Sequence, residues 1–273
     1  MTDRYPALFC AAGRPELLFE ENDLTRTLTR VGEFLVRQWG RPKAILAITS
    51  TWRTDAVTLD GAWDWRAHLA QAGLTSPSDA TGTRLNDPTL SMEERAVAGD
   101  LAASLLDVFP WVKTGELGLE SAILPTYSAL FPTMDIPLVP MSVVPLVGLR
   151  AHYEWGMALR ALRDEGVLLL GLGALGENAP LVNPASETGL PAMEDFSAKL
   201  VEALAVRNDD AVIQYRDIET APVGMPDEAL ILPLVTILGA SVADPATVFN
   251  HRVTWGALAM SSALFSEHTF PHI

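Results

Sequence analysis

The sequence predicts an α/β protein: one domain over residues 1–273, with a central, mostly parallel or mixed sheet flanked by helices. Three observations predict it. Four near-continuous apolar runs read as strands buried on both faces. Segments between them place apolar residues at three- and four-residue steps, the period of amphipathic helices. No internal repeat and no low-complexity linker divides the chain.

The first strand is LFCA (8–11), stopped by the corner Ala12-Gly13-Arg14-Pro15. LTRTLTRVGEFLVRQW (24–39) follows as a helix, with Asn22 or Asp23 placed to cap it. KAILAIT (43–49) is the second strand. Residues 61–90, rich in Gly, Pro, Asn, Asp and Ser, read as loop, and EERAVAGDLAASLLDVF (93–109) as the next helix. DIPLVPMSV (135–143) is the third strand. HYEWGMALRALRDEG (152–166) is a helix with Gly166 as its stop, leading into the fourth strand, GVLLLGLG (166–173). Residues 177–190 read as a second loop over one end of the sheet. The run ILPLVTILGA (231–240) is too short and too marked by Pro and Gly to span a bilayer.

Composition narrows the function classes. Hydrophobic residues make up 49% and charged residues 19%, as in a compact soluble protein, and the net charge is −15. A nucleic-acid or anionic-membrane surface needs clustered Lys and Arg, so neither partner is expected. The single cysteine, Cys10, rules out an intrachain disulfide framework and Cys-based zinc sites, and its apolar setting predicts a buried small hydrophobe. MTDRYPALF lacks the basic-then-apolar pattern of a secretory signal, so the expected location is cytoplasmic.

GLGALG (171–176) is a literal G-x-G-x-x-G after a strand. A dinucleotide site needs a helix starting inside the motif, but Pro180 and Pro184 in ENAPLVNP would break it. Glycines at a crowded strand end are the expectation instead. The histidines (His68, His152, His251, His268 and His272) form no H-E-x-x-H or H-x-H pair. His152 is expected to open its helix, and His268 and His272 to lie in a solvated tail. No G-x-S-x-G elbow supports a serine hydrolase.

Six stretches in the same order resemble one family. They are PALFCAAGRP, RPKAILAITSTW, LGLESAILPTYSALFPTMDIPLVPMSV, HYEWGMALRALRDEGVLLLGLGALGEN, LILPLVTILGA and WGALAMSSALF. Together they resemble the DODA-type branch of the LigB-like class III extradiol ring-cleaving dioxygenases. The resemblance implies that family's fold over nearly the whole chain, with residues 60–100 least alike. It also implies systematic departures. The family's three metal histidines correspond to Ala12, Thr51 and Leu230, its acid–base histidine to Ser121, and its pocket histidine to Glu177. Framework residues Gly13, Pro15, Trp52, Gly118, Gly173 and Asn178 remain. A methyl, a hydroxyl and an isobutyl group cannot replace imidazoles at an Fe(II) site.

The expectation is therefore a metal-free homologue without a cofactor: a non-catalytic subunit or a small-ligand-binding protein. Its pocket would be lined by Arg14, Thr51, Trp52 and His152, and its ligand would be a small aromatic molecule or carboxylate. A homodimer, or a hetero-oligomer with an active homologue, is the expected assembly. One alternative is a metal-independent lyase, hydrolase or isomerase acting on an aromatic-derived acid, with Glu177, Glu120 and Ser121 as catalytic groups. Another is a dioxygenase holding Fe(II) or Zn(II) through an atypical set such as His152 or His251 with Glu177. Against these, the carboxylates are equally expected in solvent or capping loops, and Arg14 paired with Glu16 or another surface carboxylate.

Overall fold

The computed structural model describes residues 4–12, 14, 17–18, 20–64, 67, 92–109, 112–118 and 122–268. Its centre is an eight-stranded mixed sheet. The strands are β1 (Ala7–Ala11), β2 (Ala44–Arg53), β3 (Thr58–Leu59), β4 (Lys113–Thr114), β5 (Leu138–Val143), β6 (Val167–Gly173), β7 (Ala246–Phe249) and β10 (Ser262–Phe265), in the order β4-β3-β5-β2-β6-β1-β10-β7. The four runs read as strands form its parallel middle, β5-β2-β6-β1. A separate hairpin pairs β8 (Val253–Thr254) with β9 (Leu258–Ala259).

Both faces of the middle strands are covered, which is why their sequences are apolar without alternation. On one face Leu8, Cys10, Ile45, Ala47, Leu170 and Leu172 join a core with helices α1 (Asp23–Trp39) and α3 (Ile123–Leu130). On the other, Phe9, Leu46, Ile48 and Leu169 meet α2 (Met92–Val108), α4 (Gly148–Leu159), α5 (Pro191–Ala205) and α6 (Leu232–Ala240). Helix α1 starts at Asn22, whose Oδ1 accepts from Thr25 N at 3.1 Å while Thr25 Oγ1 accepts from Asn22 N at 3.0 Å. That reciprocal pair closes a capping box. Helices α4 and α6 pack at backbone distance: a Cβ on Gly156 would lie 1.9 Å from Thr236 O, and one on Gly239 1.9 Å from Tyr153 O.

Two elements differ from the sequence reading. The helix expected at 152–166 begins a turn earlier, at Gly148, after a 3₁₀ turn at Pro145–Val147. It breaks at Arg160 into a short second piece, Ala161–Asp164, and Gly166 ends it at φ +86° as expected. His152 thus lies in the second turn rather than opening the helix. ILPLVTILGA supplies α6, and all nine of its residues are buried. It has no polar face to give it a helical period.

Arg163 ties the segment before β1 to the end of α6. Its buried guanidinium donates to Tyr5 O at 2.8 Å, to Ala240 O at 2.6 Å and to the Asp244 carboxylate. These bonds satisfy the charge and the carbonyl at the end of α6 together.

Candidate functional site

Backbone hydrogen bonds assemble a corner at the carboxyl ends of β1, β2 and β6. The register pairs Ala11 with Gly173 and Thr49 with Leu172, so the three strands end side by side. Just beyond, Ala12 N donates to Gly173 O at 2.8 Å and Ala174 N donates to Leu230 O at 2.9 Å. Leu230 closes a 3₁₀ turn, Glu228–Leu230, capped by Asp227. The structure therefore brings Ala12 and Leu230 together through Gly173. The β2–β5 register shifts between Thr49 and Arg53, and this irregularity carries Thr51 and Trp52. Such bulges re-aim side chains at sheet rims. Thr51 is exposed, with its Oγ1 2.8 Å from that of buried Thr49, and Trp52 is half-buried against the core.

Glycines in GLGALG serve this junction. A Cβ on Gly171 would meet Ile237 Cγ1 at 2.8 Å, and one on Gly173 would meet Leu230 O at 2.2 Å. No helix starts in the motif; residues 174–178 turn instead against β9. Gly176 O accepts from Ala259 N at 2.8 Å, Asn178 N donates to Ala257 O at 3.2 Å, and Glu177 forms a β-bridge with Leu258.

That bridge presents Glu177 to Arg14, Nη2 to Oε1 at 3.2 Å. The side chains are 37% exposed for Arg14 and 14% for Glu177. Two candidates from distant parts of the sequence thus meet, and Arg14 pairs with Glu177. Burial pushes the Glu177 carboxyl above its ordinary range; the Arg14 charge opposes that shift and the Asp227 charge adds to it. Asp227 is itself clasped by Arg53, Nη2 to Oδ2 at 2.7 Å and Nη1 to Oδ1 at 3.3 Å. The corner's rim carries two arginine–carboxylate pairs, of which Arg14–Glu177 is the more enclosed.

Other candidates stand elsewhere. His152 is buried, its Nδ1 2.8 Å from Gly148 O and its Nε2 accepting from Val144 N at 3.2 Å. Both ring nitrogens are committed to the backbone, and burial lowers its pKa. His251 Nδ1 lies 2.9 Å from Ser261 Oγ. His268 is exposed, its ring 5.1 Å from that of Trp39. Gly13, Pro15, Glu16, His68, Glu120, Ser121 and His272 lie outside the described residues. Sequence reasoning missed Asp227 and Arg53. The only signal for Asp227 was a capping residue after Pro226, and Arg53 carried none.

Among curated proteins, a 4,5-DOPA dioxygenase extradiol of Escherichia coli K12 is 26% identical over 268 residues, covering 95% of this chain and 94% of the relative. A protein of the same name from Portulaca grandiflora is also 26% identical, over 96% of each chain. Similarity over nearly the whole of both chains supports the resemblance to the DODA-type, LigB-like extradiol dioxygenases. No protein-family profile matches it. Among solved structures, an uncharacterized protein of Escherichia coli K12 shares the fold, with a TM-score of 0.75 and 24% identity over 96% of this chain and 100% of that one.

The family implies iron, and the residues at this corner do not fit it. At the positions that the resemblance aligns with the family's metal histidines, Ala12 offers a methyl group, Leu230 an isobutyl group and Thr51 a hydroxyl, none of which replaces an imidazole. Among the described residues no group of three or more His, Cys, Asp or Glu is placed to hold a metal ion. No helix among them is long and apolar enough to cross a membrane.

Proposed function

We propose that this chain is a metal-free member of the extradiol dioxygenase family that binds a small aromatic carboxylate at the former iron corner without opening a ring. The observation that carries this reading is the Arg14–Glu177 pair, set on strand ends whose positions 12, 51 and 230 carry no imidazole. A guanidinium matches a carboxylate bidentately, and Arg14 is open enough for an incoming anion to reach it. Leu230 and Trp52, on elements that meet at this corner, are partly buried apolar side chains of the kind that suits an aromatic ring.

The test combines metal analysis with a spectrophotometric catechol ring-opening assay, on protein purified and then supplied with Fe(II). Substoichiometric iron and zinc, no ring opening, and a thermal shift with benzoate are the expected results. Stoichiometric iron with ring-opening turnover overturns the reading.

The raised carboxyl of Glu177 favours a second reading, a metal-independent lyase, hydrolase or isomerase in which Glu177 acts as acid or base. If a substrate is turned over, Glu177→Gln abolishes the reaction under this reading. Unchanged turnover removes Glu177 from the mechanism.

A further inference from the structure

The Arg14–Glu177 pair is asymmetric in a way that matters for a ligand. Arg14 reaches solvent, and its guanidinium carries five N–H donors, whereas Glu177 is mostly enclosed. An arriving carboxylate meets the arginine first and competes with Glu177 for it.

What Glu177 retains when it loses Arg14 follows from the groups around it. On the β8–β9 side, His251 is turned onto Ser261 and Arg252 reaches towards Asp23 at 3.9 Å. On α5, Asp195 is held by Lys199 at 2.7 Å and by Thr220 at 2.8 Å. On the turn before α6, Glu228 is paired with Arg216 at 2.7 Å, and Asp227 with Arg53. Among the described residues, the charges that act on Glu177 are Arg14, which favours its ionised form, and Asp227, which disfavours it. With Arg14 taken by another anion, burial and a like charge remain among the described residues, and both favour the neutral acid.

We propose that a ligand carboxylate displaces Glu177 from Arg14, so that binding at this corner takes up a proton onto Glu177. This rests on the carboxylate-binding reading above. The charge balance is simple: an anion enters, a proton from solvent neutralises the displaced carboxylate, and the guanidinium exchanges one partner for another. Asp227 is a positioning residue in this exchange, because its charge, moderated by Arg53, sets how readily Glu177 accepts the proton. The ligand class follows. It is a carboxylate able to offer Arg14 a two-oxygen face, beside a neutral acid that donates a hydrogen bond rather than repelling it.

The experiment is calorimetric titration of the whole protein with benzoate across a pH series, in buffers of different ionisation enthalpy at each pH. The buffer dependence of the heat counts protons exchanged. The expected result is net uptake approaching about one proton per benzoate at its maximum and fading at high pH. Arg14→Gln is expected to weaken benzoate about tenfold or more. A ligand-free readout accompanies it: infrared titration of the Glu177 carboxyl, assigned by its loss in Glu177→Gln. Here Arg14→Gln raises the midpoint and Asp227→Asn lowers it. Benzoate binding with no proton uptake at any pH overturns the exchange but leaves the carboxylate site standing. No binding overturns the site, and an infrared midpoint unmoved by Arg14→Gln overturns the exchange whatever benzoate does.

Discussion

Replacing Gly173 with alanine tests how the corner is built. The added methyl would lie 2.2 Å from Leu230 O, 3.3 Å from Leu230 C and 3.4 Å from Phe9 Cε2. Two of these neighbours are backbone, so no side-chain rotation relieves the clash. Reaching an ordinary contact requires the 228–230 turn to retreat by roughly 1 Å. That retreat breaks the 2.9 Å bond from Ala174 N to Leu230 O. Overpacking costs about 1–3 kcal/mol, and stranding a buried backbone pair adds roughly 1–3 kcal/mol. The expected loss is therefore about 2–6 kcal/mol, large against a typical total stability of about 5–15 kcal/mol. Urea denaturation followed by circular dichroism measures it, with m compared to confirm an unchanged unfolding mode. The displaced turn carries Asp227, so the Arg53–Asp227 pair should loosen too. A loss below about 1 kcal/mol would refute the reasoning, because the strand end would then have had room to spare.

Other changes test other parts of the fold. Gly99 lies inside α2, exposed and with open space around its Cβ, so Gly99→Ala should stabilise by about 0.8–1 kcal/mol in the same urea assay. Arg163→Met strands the buried Asp244 carboxylate and should cost about 3–5 kcal/mol, whereas the joint change with Asp244→Leu should recover part of that loss. His152 is held neutral by burial, so its folded pKa lies below its unfolded value near about 6.5. Its contribution is complete above that pH and is lost as pH falls below it, at up to about 1.4 kcal/mol per pH unit. Denaturation at pH 7.5 and pH 5.5 should show this loss in the wild type and a smaller one in His152→Asn.

The parallel middle of the sheet was legible because burial on both faces writes itself as an unbroken apolar run, as in Leu8–Ala11 and Val167–Gly173. Helix α1 was legible down to its Asn22 cap, since capping is a local interaction. The antiparallel edge, β10 and β7, was not, because its short strands carry no period long enough to read. Glu177 and Arg14 were each visible as candidates, but their meeting depends on the bridge from Glu177 to Leu258, a contact 81 residues apart in sequence. Asp227 and Arg53 were invisible for the same reason: a pair made across 174 residues leaves no local pattern.

The corner's bonding does not depend on the side chains at positions 12, 51 and 230. Ala12 is held by its N–H on Gly173 O, Leu230 by its carbonyl on Ala174 N, and the end of β1 by Ala11 N on Ser262 Oγ at 3.0 Å. None of these bonds uses a side chain at positions 12, 51 or 230. Different side chains there would leave the backbone junction intact, and Gly173 provides the close approach that the junction requires. The same independence frees the corner to acquire a different charge arrangement. Arg14 and Glu177 flank the junction from two sides, and Asp227 stands three residues before Leu230, so the corner carries a salt bridge to a mostly enclosed acid. A site of that kind handles anions and protons, the two things a guanidinium and an enclosed carboxyl can exchange.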